Sequence, residues 1–248
     1  MKRLYFLSLS IILSFIFSFS LSSKETLRYE ISYKWGLIHK TAGDAVYTIN
    51  DKGNYYELTL TGKTRSWADK IFSVRDTLTG RISKNNKPQI YIKSAHEKGK
   101  YSKDVINYKY SGNTVQGEAL RIKEKDGKLQ KETKMLTATG EVFDMVSIFY
   151  YIRQLDFEKL CKGSTVTVNM FSGSKVESLT IRCVGKEKYK LKNKTEADTY
   201  HLKLKFTTGG KKKSSDDIDA WISVAAPHIP YMITGNLPVG QVRATYVN

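Results

Sequence analysis

Two charged residues sit where charge is out of place. Arg153 falls on the most apolar side of the segment Glu141–Leu155, beside Val142, Val146 and Phe149. Asp76 shares a strand face with Phe72, Val74, Leu78 and Ile82. Each charge alone costs several kcal/mol to desolvate, whereas a hydrogen-bonded pair offsets much of that penalty. Mutual need therefore predicts that Arg153 pairs with Asp76 inside the protein and locks a helix to a sheet. The competing arrangement keeps them apart: Arg153, near a helix C-terminus, reaches water and the helix dipole, and Asp76 accepts from backbone amides at a strand distortion.

Cys161 and Cys183 are the only cysteines. They flank a hairpin whose turn, near Gly173, sets Cys183 opposite Ser164, so Cys161 is offset by one strand step unless a bulge closes the gap. In a chain bound for an oxidising compartment two alternatives stand: a disulfide, or two free cysteines with Cys183 packed beside Ile181 as a small hydrophobe.

Other chemistry-bearing types are scattered. His39, His96, His201 and His228 show no His-x-His or His-x-x-Glu-His spacing, so no local metal motif is present. Asp216, Asp217 and Asp219 lack the glycine and terminal glutamate of a calcium loop, and are expected to form a solvated turn. No nucleophile elbow, phosphate-cradling glycine loop or Cys-His signature occurs. Paired carboxylates for glycoside hydrolysis come from distant strands, and nothing in the sequence favours such a pair. Asn193-Lys-Thr195 is an acceptor sequon only in a glycosylating host. No catalytic residue, cofactor or metal site is predicted.

The elements that must position Arg153 and Asp76 are one helix and many strands. Glu141–Leu155 is the one segment after the N-terminus with helical apolar spacing. At 100° per residue Asp144, Ser147, Tyr151 and Gln154 share a narrow arc and the rest of the circumference is apolar, which predicts a buried helix plugging a β-protein. Elsewhere apolar residues alternate. Leu27, Tyr29, Ile31, Tyr33 and Trp35 form one face, then Ala45, Tyr47 and Ile49, then Tyr56, Leu58 and Leu60. Trp67-Ala-Asp-Lys-Ile71 is expected as a helical turn at a corner. Asp126-Gly127 and Ser172-Gly-Ser-Lys175 mark hairpins, the second placing Val166, Val168 and Met170 against Leu179, Ile181 and Cys183. The fold class predicted is mainly β: one domain of curled antiparallel sheet, an open barrel or sandwich, packed around a central helix near 141–155.

The N-terminus specifies export. Lys2 and Arg3 precede an apolar and serine run from Leu4 to Phe19, and Ser20-Leu21-Ser22 places small residues for cleavage after Ser22. No cysteine follows the run, as a lipoprotein anchor would need, and no later segment is long enough to span a bilayer. Removal of residues 1–22 leaves a single domain over residues 23–248, with no repeat or linker. The whole chain carries a formal net charge of +17, which favours anionic lipid or polysaccharide as partner. No run forms a compact basic arm, Lys211-Lys-Lys213 being the longest, and no nucleic acid is expected.

The opening LRYEISYKWGLIHKTAGDA, the strand VRDTLTGRI, the helix DMVSIFYYIR and the ending DAWISVAAPHIPYMITGNLPVGQVRATY together resemble domain-of-unknown-function family 3108, over nearly all of the mature chain. The most specific part is Asp144-x-x-Ser147-x-x-Tyr150-Tyr151-x-Arg153. One departure is visible: Val224-Ala225-Ala226 follows Trp221-Ile222-Ser223 where the resemblance implies a short acidic turn. The resemblance implies an exported, antiparallel β-rich domain of a Gram-negative bacterium, in the periplasm or cell envelope, and it supplies no activity. Architecture then suggests a binding or carrier module holding an amphiphile or lipid between sheet and helix. The alternative is a basic envelope protein contacting anionic polysaccharide or lipopolysaccharide through tyrosine platforms, and a hydrolase without a recognisable motif ranks third.

Overall fold

The computed structural model describes residues 23–35, 38–125, 127–208, 217–236 and 240–247. The expected signal peptide, Lys211–Lys213, Asp126 and Asp216 lie outside the described residues.

Period-two alternation becomes a single sheet of fifteen strands. The first half is a meander: β1 (Lys24–Trp35), β2 (Ile38–Asp51), β3 (Tyr55–Thr64), β4 (Val74–Ser83), β5 (Pro88–Glu97), β6 (Lys100–Ser111), β7 (Thr114–Lys125) and β8 (Lys128–Thr139). The second half runs through β10 (Thr165–Ser172), β11 (Lys175–Lys190), β12 (Glu196–Thr208), β13 (Ile218–Ser223), β14 (Pro230–Asn236) and β15 (Gln241–Tyr246). β15 pairs with β1, joining the halves, and the order is β8 to β1, then β15 to β10. Every pair is antiparallel except the junction of β10 with the two-residue β9 (Val142–Phe143). The sheet curls until its ends nearly meet. The Asn169 amide of β10 donates to the Thr139 carbonyl of β8 at 2.9 Å, and Phe171 lies against Gly117 of β7 so closely that a Cβ there would sit 2.6 Å from the ring.

Leu58, Ile82, Ile106, Met170, Phe171, Ile181, Leu202 and Ile222 line this nearly closed barrel and are shut off from solvent. The hairpin at Gly173 has the expected register, Val168 opposite Leu179 and Val166 opposite Ile181. The corner helix is α1 (Ser66–Phe72). Pro230 opens β14 at the end of the β13–β14 turn.

The interior segment also differs from expectation. Only Ser147–Ile152 is helical, as α2, followed by a short α3 (Phe157–Cys161). The reason is local hydrogen bonding that competes with helix upstream. Asp144 Oδ1 accepts from the amides of Val146 and Ser147 at 3.0 and 2.9 Å, and Ser147 Oγ accepts from the Asp144 amide at 3.0 Å. This reciprocal box starts the helix at its own position and frees Val142 and Phe143 to pair as β9. Asp156 repeats the device, accepting from the Lys159 amide to begin α3. Asp144 and Ser147 are therefore not on a polar outer arc; both are wholly buried.

Candidate functional site

Three strands grip the buried turn that precedes α2. The Tyr47 hydroxyl of β2 donates to the Val146 carbonyl at 3.0 Å, and the Tyr108 hydroxyl of β6 donates to Asp144 Oδ2 at 3.1 Å. Gly80 of β4 leaves the space that Val146 occupies, since a Cβ there would lie 2.7 Å from Val146 Cγ1. Burial pushes the Asp144 carboxyl above the usual carboxylate range, and the Ser147 and Val146 amides with the Ser147 and Tyr108 hydroxyls pull it back only in part. All its neighbours are satisfied within the fold, so Asp144, Ser147 and Tyr108 are architecture. Tyr151, further along that motif, stacks on Phe143 and donates from its hydroxyl to Glu141 at 2.8 Å.

Arg153 caps the C-terminal end of α2, and its side chain is only 6% exposed. Nη2 donates to Glu25 Oε1 of β1 at 2.7 Å and to the Pro227 carbonyl at 3.0 Å. Nε is shared between the carbonyls of Pro227 and His228, both at 3.2 Å. Those carbonyls belong to the β13–β14 turn, which Ser223 organises by accepting from the Ile229 amide and donating to the Ala225 carbonyl. The third nitrogen, Nη1, is buried and has no partner.

The expected pairing of Arg153 with Asp76 does not form. Glu25 lies level with Ile49, Leu58 and Gly80 across the first four strands. Asp76 is four residues further along β4, about 13 Å at ~3.3 Å per residue. Its partner is Lys93 of β5, at 3.6 Å. Burial raises the Asp76 carboxyl; Lys93 lowers it and the neighbouring Glu97 raises it again. Asp76 Oδ1 is left without a hydrogen bond.

Beside Arg153 the barrel is not filled. A cavity of about 190 Å³ lies between sheet and helix, walled by Leu27 and Ile31 of β1, Leu60 of β3, Phe149 of α2, Ile233 of β14 and Ala244 of β15. Its polar contributors are Arg153 and the two phenols Tyr29 and Tyr47, and burial pushes both phenols up against the pull of Arg153. Arg153 also lines a second, mixed pocket of about 340 Å³, together with Glu25, Asp51, Tyr56, Gln154 and His228. Arg153 thus borders both spaces, a relationship that the spacing within its own helix could not reveal.

The remaining candidates resolve into structure. Cys161 and Cys183 form a disulfide with Cα atoms 4.8 Å apart. The expected one-step offset is absorbed because Cys161 ends α3 instead of extending β10, and β11 bulges at Cys183. Asp219 is held by His201 at 2.7 Å and Lys203 at 3.3 Å, and Asp217 by Arg182 at 2.9 Å. His96 packs on Tyr101, and His228 on Phe157. Among the described residues no three His, Cys, Asp or Glu side chains are grouped to hold a metal. No helix there is long and apolar enough to cross a membrane.

Comparison with known proteins places the chain. Residues 28–247 match the family model described as Protein of unknown function (DUF3108), and the chain belongs to that family. No curated protein matches it. Among solved structures it is similar to a β-barrel-like protein of domain of unknown function DUF1849 from Brucella abortus, with a TM-score of 0.63 at 10% identity over 90% of this chain and 95% of that one. That likeness concerns the fold.

Proposed function

We propose that this member of the DUF3108 family is an exported, non-enzymatic binding or carrier module for a single-chain anionic amphiphile. The observation that carries the reading is the apolar cavity between sheet and helix, lined in part by Arg153, whose Nη1 is buried without a partner. A buried donor without an acceptor costs free energy that a carboxylate or phosphate oxygen relieves. The cavity, at about 190 Å³, compares with the ~150 Å³ that admits benzene, so it suits a short acyl chain or the end of a longer one. Each methylene buried there contributes about 0.8 kcal/mol. The head group rests at Arg153, which also lines the second pocket. Native mass spectrometry of protein purified from its own cell envelope tests this. Retention of a fatty acid or other anionic single-chain lipid by the wild type, lost in Arg153→Met, supports it; a wild type that neither retains such a species nor binds added octanoate overturns it.

A second reading is contact with an anionic envelope glycan. It rests on Tyr189, which neighbours Trp221 at 6.2 Å and stacks with Tyr231 at 6.5 Å, beside a surface pocket lined by Lys190, Lys192 and Arg243. Ionic strength separates the two: glycan binding through these cations falls steeply with salt, and acyl binding in the cavity does not.

A further inference from the structure

The short helix α1 exposes apolar side chains that the fold does not use. Ile71 is 73% and Phe72 40% exposed, side by side at its C-terminal end. Trp67, one turn earlier on the side of Ile71, is held by its indole N–H on the Thr41 carbonyl at 2.8 Å. The β5–β6 turn stands against the same end. Lys98 and Gly99 both have positive φ, 50° and 74°, the two-residue hairpin that turns most tightly, and the Lys98 amide donates to the Ser73 carbonyl at 3.0 Å. Helix and turn are therefore one tip. Lys98 Nζ lies 4.9 Å from the Phe72 ring and Lys40 Nζ 4.7 Å from the Trp67 ring. Lys70 and Lys100 are exposed beside them. The nearest helix carboxylate, Asp69, is already held by Arg75 at 2.8 Å.

We propose that this tip docks the protein onto an anionic lipid bilayer, with Ile71 and Phe72 entering the head-group region and the lysines contacting lipid phosphates. Two side chains fall far short of the ~800 Å² per partner that a stable protein interface takes. Peripheral insertion needs only such a small apolar point, reinforced by about 1 kcal/mol from each cation near an anionic surface. The Lys98 and Lys40 ammonium groups, held over the Phe72 and Trp67 rings, keep cations beside the apolar side chains, the mixture that a head-group region accepts.

Co-sedimentation with phosphatidylcholine vesicles, with and without about 30% phosphatidylglycerol, tests it. The wild type should bind the anionic vesicles preferentially. Ile71→Ser/Phe72→Ser should weaken that binding at least about tenfold, whereas Leu129→Ser/Met135→Ser, which alters two exposed apolar residues on β8, should not. Lys70→Gln/Lys98→Gln should also weaken it and flatten its salt dependence. The proposal is overturned if the wild type ignores anionic vesicles, if the Ile71/Phe72 variant binds like wild type, or if that variant instead abolishes a dimer in sedimentation velocity and leaves vesicle binding intact. Octanoate binding by the Ile71/Phe72 variant, read in parallel, keeps this result separate from the cavity reading.

Discussion

Arg153 Nη2 and Glu25 Oε1 meet at 2.7 Å across 128 positions of sequence. The pair ties the end of α2 to the first strand, and two turn carbonyls complete the guanidinium's contacts. Glu25 is about one-third exposed, at 34%, so its share is modest.

Arg153→Met should destabilise the fold by about 2–4 kcal/mol, because the carbonyls of Pro227 and His228 lose their donor. Glu25→Gln should cost about 1 kcal/mol, since a carboxamide oxygen still accepts and solvent screens the lost charge. Urea unfolding of both variants checks the order; equal losses would show that the ion pair, and not the carbonyl contacts, dominates.

Gly80→Ala should destabilise by about 1–3 kcal/mol, because its new methyl overlaps Val146 Cγ1. Val146→Ala removes that carbon, so the double variant should be less destabilised than the sum of the single ones. A double-mutant cycle that closes to zero coupling would mean the two positions do not touch.

The raised Asp144 carboxyl sets a pH dependence. A folded-state value above the unfolded one means that the native state binds the proton more tightly. Its contribution is fully present below the unfolded value of about 3.8 and is lost as pH rises through the folded value. Asp144→Asn keeps an acceptor for the Val146 and Ser147 amides and removes the titration. The stability of wild type relative to Asp144→Asn, followed by urea midpoints, should therefore fall as pH rises above about 3.8. Asp69 has the opposite sign: hydrogen bonds from Arg75 and Thr64 hold its carboxyl at about 2, so its contribution is lost only as pH falls towards that value. A flat difference between wild type and Asp144→Asn would contradict the assignment.

The Cys161–Cys183 bridge closes a loop with a separation of 22 residues. Loop-closure entropy for that length gives about 3 kcal/mol, which Cys161→Ser/Cys183→Ser should lose. Alkylation of the denatured wild type without reductant should add no mass; two alkyl groups would show the thiols to be free.

Alternation along the chain was sufficient to specify a β-protein, its hairpins and much of its local register, because a strand's inward and outward faces follow from backbone geometry with period two. Val168 opposite Leu179 is legible from the Gly173 turn alone. The interior segment was legible as the organising element but not in its form. The apolar periodicity of 141–155 hid a buried Asp144–Ser147 box, since short polar side chains that bond their own backbone end a helix without disturbing its pattern.

The partner of Arg153 was decided only by the tertiary structure. Sequence identified two charges on apolar faces, Arg153 and Asp76, and mutual need joined them. Strand order separated them, because β15 closing on β1 brings Glu25 and the Pro227 turn to Arg153 while β5 supplies Lys93 to Asp76. The cavity escaped for a related reason. Leu27, Phe149 and Ala244 each read as ordinary core residues, and whether their side chains meet or leave a gap depends on sheet curvature and on the depth at which α2 is held by Tyr47 and Gly80. Local periods determine which way a residue points; only the closed sheet determines what it finds there.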